Sequence, residues 1–349
     1  MKFKVLKYLV PFVLFVGAIC SFKSYGIVVW LPLVLVWIII PLLEFFIDED
    51  AKNMTAAEEE LVSADRTYDF ILYLIVPLQY VSLYFFLINI GDNNLSTADL
   101  VGRIGVMGVL CGTFGINVGH ELGHRINKTE QTFAKMLLLT SLYMHFFIEH
   151  NKGHHKRVAT PDDPSSARFG EPVYLFYFRT ICMTYLGAWH IAGEELSKKG
   201  KHPFSLQNQM LQFQLIQLAF VCLLFFLFGS TATFYFLIAA FIGILLLETV
   251  NYIEHYGLKR KKTEEGKYER AMPQHSWNSN HVIGRLFLFE LSRHSDHHYI
   301  ASRKYQLLRH HDNSPQMPTG YPGMIIVALF PPIWFWIMNR KIKLFEKGI

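Results

Sequence analysis

Long apolar stretches dominate this sequence and constrain its fold more than any other feature. A helix needs about 20 mostly apolar residues to cross the hydrocarbon core of a bilayer. Hydrophobic residues make up 52% of the chain and charged residues only 17%, whereas charged residues are about 25% of a typical soluble protein. We predict an all-α integral membrane protein with a bundle of six transmembrane helices, over residues 5–22, 26–47, 69–90, 100–119, 211–229 and 231–250.

Three further apolar stretches are interrupted by histidine, charged residues or proline, and we expect buried or interfacial helices from them. These stretches are residues 134–148, 172–193 and 324–338. The whole chain is predicted to be one domain with four successive parts. The parts are spans one to four in 1–119, two histidine motifs with interfacial helices in 120–210, spans five and six in 211–250, and two more histidine motifs with a C-terminal interfacial segment in 251–349.

Lysine and arginine are distributed unevenly between the predicted loops. In membrane proteins the cytoplasmic loops carry the excess of these residues. If the N-terminus is cytoplasmic, the outer side holds Lys23 and Arg103, and all but these two of the 33 basic residues lie inside. We therefore predict a multi-pass protein of the cell inner membrane, with its histidine-rich segments on the cytoplasmic side. Nothing in the sequence indicates a nucleic-acid partner.

Nine of the 16 histidines are concentrated in four short segments. The segments are HELGHR (120–125), EHNKGHH (149–155), NYIEHYG (251–257) and LSRHSDHH (291–298). Histidines three or four residues apart lie on one face of an α-helix, and this spacing recurs in three of the segments. The nine histidines are His120, His124, His150, His154, His155, His255, His294, His297 and His298.

The number of these histidines predicts two metal ions. Neutral imidazole is a ligand for zinc, copper, iron and nickel. A tetrahedral zinc ion takes at most four ligands, so nine histidines are too many for one ion and suit two ions with open coordination positions. The other seven histidines lack this clustering and are predicted not to be ligands. They are His145, His190, His202, His275, His281, His310 and His311.

Acidic residues lie next to the predicted ligands. A carboxylate can accept a hydrogen bond from the second ring nitrogen of a ligand histidine and so fix its tautomer. Ion pairs with Arg125, Arg157 or Arg293 are the alternative role for these carboxylates. Asp163 could also contact a ligand histidine. The alternative for Asp163 is a role in a turn, which its Asp-Pro context favours. The four carboxylates beside predicted ligands are Glu121, Glu149, Glu254 and Asp296.

Three kinds of protein are compatible with these motifs. HELGH fits the HExxH pattern of zinc peptidases, but a peptidase would leave six or more of the nine histidines without a role. A metal transporter would place its ligands near the membrane midplane, whereas these lie at the ends of spans. The pattern favours oxygen chemistry on a lipid-soluble substrate. The chain contains no GxGxxG, GxxxxGK[ST] or CxxC motif, so we expect electrons from a separate carrier that docks on the cytoplasmic face.

The four histidine segments resemble the motifs of membrane-bound alkane monooxygenases. The similarity extends over residues 30–325 and includes ATPDDP, HSWNSNH and TGYPGM, with Ser292 at a position where the family more often has glutamine. The general pattern is shared with fatty-acid desaturases and hydroxylases. NYIEHYG together with RHSDHH is more specific to alkane monooxygenases and their relatives, the xylene monooxygenases.

The resemblance implies a diiron centre in which the nine histidines hold two iron ions. It also implies rubredoxin, with rubredoxin reductase, as the electron donor. The implied reaction uses O2 to hydroxylate the terminal methyl group of a medium- or long-chain alkane to a primary alcohol. Hydroxylation of an aromatic methyl group and fatty-acyl desaturation or hydroxylation are the alternatives that the resemblance leaves open.

Trp37 is the predicted limit of the substrate tunnel. An alkane that enters from the membrane lipid must lie along the span interiors for its methyl group to reach metal at their cytoplasmic ends. Residues 31–43 are aliphatic or proline apart from Trp37, and tryptophan is more usual at the membrane interface than in mid-span. We predict that Trp37 closes the tunnel and limits alkane length, with packing between helices or toward lipid as the alternative.

Overall fold

The computed structural model describes residues 2–347, which are helical and contain no β-strand. The predicted all-α class is therefore confirmed for this part of the chain. The α-helices are Val13–Lys23, Ile27–Val34, Ile40–Glu44, Ala56–Ala64, Thr67–Asn89, Thr97–Leu110, Asn117–Gly123, Lys128–Leu139, Phe146–Glu149, His155–Arg157, Val173–Ser197, Gln209–His255, Val282–Phe287, His294–Tyr299, Tyr321–Ala328 and Pro331–Glu346. The π-helices are Leu35–Ile39, Cys111–Ile116 and His150–His154, and the 3-10 helices are Lys2–Phe12, Pro273–His275 and Tyr305–Leu307.

Five helical stretches of the described residues are long and apolar enough to cross a membrane. They are Lys4–Lys23, Ile27–Glu44, Thr67–Asn89, Thr97–Gly123 and Gln209–His255. The first four overlap the first four predicted spans, and the fifth covers the predicted spans five and six. The three interrupted stretches that we expected to be interfacial or buried are not among the five.

The fifth stretch, Gln209–His255, is a helical hairpin. Gly229 has φ 82° and ψ 173°, which are not helical values. The rings of Phe220 and Phe236 have centroids 5.9 Å apart, although 16 residues of straight helix would separate them by about 24 Å. The chain therefore reverses at Gly229, and the two halves of the stretch pack against each other.

Replacing Gly229 by alanine should destabilise the protein. Its backbone angles are accessible almost only to glycine, and such conformations cost of order 1–3 kcal/mol for other residues. A new Cβ would meet no atom within 4 Å, so the expected loss comes from backbone strain alone. Thermal unfolding of Gly229→Ala in detergent, followed by circular dichroism, should show a lower midpoint. Ser230→Ala is the matched control, and equal midpoints for the two variants would contradict the prediction.

Two compact units interleave along the chain. The first unit comprises Met1–Ile38, Arg66–Glu149 and Tyr185–Leu247. The second unit comprises Ile39–Asp65, His150–Thr184 and Glu248–Ile349. The first unit holds most of the spanning helices together with His120 and His124, and the second unit holds the other seven predicted ligands.

Close helix contacts and a buried arginine order the first unit. A Cβ on Gly243 would lie 2.6 Å from the Cβ of Cys111, so these two helices approach closely because glycine lies between them. Arg103 is 2% exposed and donates hydrogen bonds of 2.7 Å to the carbonyl oxygens of Asn89 and Ser24. These carbonyls lie at the C-terminal ends of two spanning helices, where backbone oxygens lack helical partners.

Buried arginines fix the segment that precedes the last histidine motif in the second unit. Arg293 donates hydrogen bonds to the carbonyl oxygens of Asp50 and Leu308, at 3.0 and 2.8 Å. Arg285 also bonds the Asp50 carbonyl oxygen, at 2.6 Å, and forms an ion pair of 2.7 Å with Glu290. Glu290 has a φ of 60°, so this ion pair stabilises a left-handed turn just before the motif.

Candidate metal centre

Four histidines of the second unit converge on one point. Each offers a ring nitrogen, and these four nitrogens all lie within 4.8 Å of one another. The side chains are no more than 5% exposed. They come from three helical segments, the π-helix His150–His154, the end of Gln209–His255 and the short helix His294–Tyr299. We call them the four-histidine group: His154, His255, His294 and His298.

The spacing of the nitrogens in this group fits a metal ion. The Nε2 atoms of His154 and His298 are 3.2 Å apart, and those of His255 and His294 are 3.1 Å apart. Four ligands placed tetrahedrally at about 2.0–2.1 Å from an ion would be about 3.3 Å from one another. The donor set is therefore the right type, number and size for a transition metal with imidazole ligands.

A second set of ring nitrogens lies beside the first in the same unit. The Nε2 atom of His155 is 3.0 Å from that of His150 and 3.1 Å from that of His297. His150 and His297 are buried, whereas His155 is half-buried. We call these residues the three-histidine group. The rings of His155 and His298 stack with centroids 4.4 Å apart, so the two groups are in contact within the second unit.

The helical spacing of the sequence did not predict how these histidines divide between the groups. We expected His150 and His154 to share a face because they are four residues apart. The rings of His150 and His154 do lie near each other, with centroids 5.1 Å apart. The segment His150–His154 is a π-helix, in which residues five apart come together, and the Nε2 atom of His150 lies beside that of His155. Helix His294–Tyr299 is α-helical, yet His297 and His298 point to different groups because they are adjacent.

The first unit holds the remaining two predicted ligands. His120 and His124 have ring centroids 4.7 Å apart, in agreement with their spacing of four residues. His120 lies in the helix Asn117–Gly123, which directly continues the π-helix Cys111–Ile116. Short π-helical segments are frequent at functional sites.

Two buried carboxylates contact the far ring nitrogens of the four-histidine group. Asp163 Oδ2 is 2.9 Å from His154 Nδ1 and accepts a hydrogen bond of 2.6 Å from Ser166. Glu254 Oε1 is 3.2 Å from His294 Nδ1 and accepts a hydrogen bond of 2.8 Å from the Tyr321 hydroxyl. Both carboxylates are 1% exposed. These contacts orient the rings so that Nε2 of each faces the centre of the group.

The other three carboxylates beside predicted ligands have different surroundings. Glu121 forms an ion pair of 2.6 Å with Arg125, which was the alternative that we considered for it. Asp296 is fully buried and accepts hydrogen bonds of 2.7 Å from Arg303. It also lies 2.7 Å from His311 Nε2. Glu149 is buried, at 2% exposure.

Burial keeps His297 and His298 in the neutral form that binds metals. Loss of solvation lowers the pKa of His297 to about 3 and that of His298 well below its usual value. Burial opposes ionisation of Asp163, but the imidazole of His154 and the hydroxyl of Ser166 outweigh this effect and lower the pKa of the carboxyl. The site therefore combines neutral imidazoles at His297 and His298 with a buried carboxylate beside His154.

Sequence reasoning left the roles of three residues here undecided or unexamined. Asp163 also forms the turn that we favoured for it, because its N–H bonds the carbonyl oxygen of Thr160 at 3.2 Å. Ser166 and Tyr321 carry no metal-binding signature in the sequence, although Tyr321 belongs to the TGYPGM motif.

Trp37 is half-buried within the π-helix Leu35–Ile39, and its role as a tunnel stop stays a prediction.

Replacing Asp163 by asparagine should weaken metal binding. The change keeps the shape of the side chain but removes the anion beside His154, and losses of such outer partners typically cost about 10- to 100-fold in metal affinity or activity. Competition with a chelator of known affinity, followed by metal analysis, would measure the loss. Asp162→Asn is the matched control, because Asp162 is exposed. Equal metal affinities for the two variants would contradict the assigned contact.

Comparison with known proteins places this site in a family. Residues 103–328 match the model of the fatty acid desaturase family. An alkane 1-monooxygenase of Acinetobacter baylyi is 40% identical over 89% of this chain and 76% of its own length. Alkane 1-monooxygenase 2 of Alcanivorax borkumensis is 36% identical over 97% of this chain and 89% of its own length. The XylM hydroxylase component of a Pseudomonas putida xylene/toluene monooxygenase is 27% identical over 95% and 87%.

An apolar helical chain with buried histidine groups and a desaturase-type sequence defines the class of membrane-associated oxidoreductases. Within that class, this chain belongs to the alkane 1-monooxygenase family. The family predicted from the four histidine motifs is thus confirmed, and the more distant similarity to XylM agrees with the expected kinship to xylene monooxygenases.

Proposed function

We propose that this enzyme hydroxylates the terminal methyl group of alkanes to primary alcohols with O2. The reaction places one oxygen atom in the alcohol and the other in water, and it consumes two electrons and two protons. The observation that carries the proposal is the buried four-histidine group in a chain that belongs to the alkane 1-monooxygenase family. The names of the relatives at 36–46% identity specify alkanes.

We also propose that the nine histidines of the four motifs together bind two iron ions. The four-histidine group supports one of these positions, because its nitrogens have the spacing that an ion with imidazole ligands requires. Bound iron would supply the redox chemistry that activates O2. The protein supplies the orientation of the ligands and the exclusion of water around them.

The residues behind the rings have definable tasks in this proposal. Asp163 holds the Nδ1 proton of His154, so that Nε2 stays free of a proton and faces the metal position. Glu254 is placed to do the same for His294, and the Tyr321 hydroxyl fixes the Glu254 carboxylate. Because these groups are almost fully buried, bulk water does not compete for the hydrogen bonds that orient the ligands.

Six spans and a cytoplasmic active site belong to the same proposal. The reversal at Gly229 supports two spans in Gln209–His255. Six spans place both ends of the chain on one side, and the distribution of lysine and arginine indicates that this is the cytoplasmic side of the inner membrane. Rubredoxin, reduced by its reductase, would then supply electrons from the cytoplasm.

The geometry of Glu121 argues against the zinc peptidase alternative. In an HExxH peptidase the glutamate acts as a base beside the metal. Here the Glu121 carboxylate lies 2.6 Å from Arg125, whose guanidinium also contacts Asp69 at 3.3 Å. The Glu121 carboxylate is therefore engaged in an ion pair with a buried arginine. Product analysis would distinguish the remaining alternatives, because aromatic methyl hydroxylation and acyl desaturation give different products from the same preparation.

The purified protein should contain about two iron ions per chain, bound mainly by imidazole. His255→Ala should lose most of its activity and at least part of its iron, because this ring contributes a nitrogen to the four-histidine group. Metal analysis and alkane hydroxylation, with rubredoxin and its reductase supplied, would measure both effects. His202→Ala provides a control histidine outside the motifs. One zinc ion and no iron in the wild-type protein would favour the peptidase.

Replacing Trp37 by serine should lengthen the preferred alkane. If the indole closes the tunnel, its removal makes room for several methylene groups, each worth ~0.8 kcal/mol when buried. Turnover of short alkanes should change less. The chain-length profile of products, measured on a series of alkanes, tests this expectation. Trp336→Ser is the control, since that indole is 76% exposed. An unchanged profile in a folded, iron-loaded Trp37→Ser variant would place the stop elsewhere.

A further inference from the structure

A basic hairpin in the second unit has no role in the metal chemistry described so far. The basic hairpin comprises residues 259–270, which include six lysine or arginine residues and three glutamates. Lys262 and Tyr268 form an antiparallel bridge, and Thr263 N–H bonds the Lys267 carbonyl oxygen at 2.7 Å. Its exposed basic residues are Lys259, Lys261, Lys262, Lys267 and Arg270.

An open concavity of about 420 Å³ lies at the base of the basic hairpin. Residues 259–261 contribute basic side chains to its lining, and Ile342 and Phe345 of the C-terminal helix contribute apolar ones. An apolar centre with a charged and polar rim is the usual anatomy of a protein docking site. Glu269 and Glu346 also line the concavity. Because residues 259–270 carry six basic and only three acidic side chains, the net charge of the basic hairpin is positive and complements an acidic partner.

His275 links this concavity to the four-histidine group. It lines the concavity, is 4% exposed, and has its Nε2 atom 3.3 Å from Glu269 Oε1. The ring of His255 is hydrogen-bonded to the backbone of His275, and its Nε2 lies 3.1 Å from that of His294. One residue therefore separates the lining of the concavity from a proposed iron ligand. Electron transfer slows steeply with distance, so this is a favourable place for an electron carrier.

Contacts within the second unit extend the positive surface beyond the hairpin. The Arg260 guanidinium donates a hydrogen bond of 2.9 Å from Nη2 to the Lys156 carbonyl oxygen. The backbone N–H of Arg260 donates a second hydrogen bond, of 2.8 Å, to the Ala159 carbonyl oxygen. The hairpin is thereby attached to the segment that follows the EHNKGHH motif. Lys152 and Lys156 are exposed there and add to the positive charge near the concavity.

We propose that the concavity and its basic rim are the docking site of an acidic one-electron carrier protein. The inference rests on the proposed monooxygenase function, which requires two electrons for each O2. Each docking event would pass one electron from the reduced metal centre of the carrier to the enzyme, and the oxidised carrier would leave. Two such events, with two protons from water, balance the formation of one alcohol and one water. Opposite charges on the two proteins accelerate their association.

Charge reversal on the basic hairpin tests this docking site. Rubredoxin is the probe, and its affinity for the full-length enzyme in uncharged detergent is measured by biolayer interferometry. Lys261→Glu/Lys262→Glu should raise the Kd for rubredoxin by about 10-fold or more at low ionic strength, since close opposed charges contribute at this scale. The effect should shrink as salt rises, because the Debye length is only ~10 Å at 0.1 M.

Lys199→Glu/Lys201→Glu is the matched control. It makes the same change in net charge at exposed residues outside the hairpin, and it should leave the Kd within about twofold of the wild type. Equal iron content in both variants and the wild type verifies folding. Equal Kd values for the two double variants would overturn the docking site. If the hairpin variant instead lost only co-purified phosphatidylglycerol, the concavity would be assigned to anionic lipid headgroups.

A chemical reductant separates this inference from the proposed function. With reduced benzyl viologen in place of rubredoxin, the hairpin variant should hydroxylate alkanes at the wild-type rate. A rate that is equally low with both reductants would overturn the docking role, because the substitutions would then act on the metal centre. A wild-type enzyme that binds rubredoxin through the hairpin but hydroxylates no alkane with either reductant would remove the proposed function and leave the docking site standing.

Discussion

The structure of the second unit depends on gathering seven imidazoles, six of them buried, close to one another. Ionisable groups are expensive to bury unless they stay neutral and find partners. Burial lowers the pKa of His297 and His298 and keeps both neutral, which is the form that a metal requires. The ring nitrogens that face away from the centre also need partners, and Asp163 and Glu254 lie beside two of them. Without a metal to bind, four nitrogens within 4.8 Å of one another would have little reason to converge.

This requirement explains the irregular backbone around the ligands. A regular α-helix brings residues three and four apart together, and that spacing alone cannot direct His150, His154 and His155 toward two neighbouring groups. In the π-helix His150–His154 residues five apart come together, and the Nε2 atoms of His150 and His155 lie 3.0 Å apart. A left-handed turn at Phe289 and Glu290 similarly precedes the last motif, and the Arg285–Glu290 ion pair stabilises it. The irregular backbone at these two places orients the histidine rings toward the metal positions proposed above.

The sequence predicts the spanning helices and the identity of the histidine motifs because both depend on local patterns. Twenty apolar residues in a row have few alternatives to a spanning helix, and the predicted spans five and six already met at residue 230. The division of the histidines between two groups was not predictable from spacing, since the π-helix changes which residues share a face. Asp163 was assigned to a turn by its Asp-Pro context, and its second contact with His154 depends on the fold of the loop. Asp296 illustrates the same limit, because it accepts hydrogen bonds from Arg303, which lies outside the motif.

Metal binding to the four-histidine group also contributes to the free energy of folding. The four-histidine group joins His154 to three histidines that lie between 101 and 144 residues further along the chain, although all four belong to the second unit. An ion that binds only the assembled group stabilises the folded state by its binding free energy, because no preformed site exists in the unfolded chain. The carboxylates behind the rings contribute to the same balance, since each fixes a ring before the ion arrives. The hydrogen bonds of Ser166 to Asp163 and of Tyr321 to Glu254 therefore extend the metal site to residues that never touch the ion.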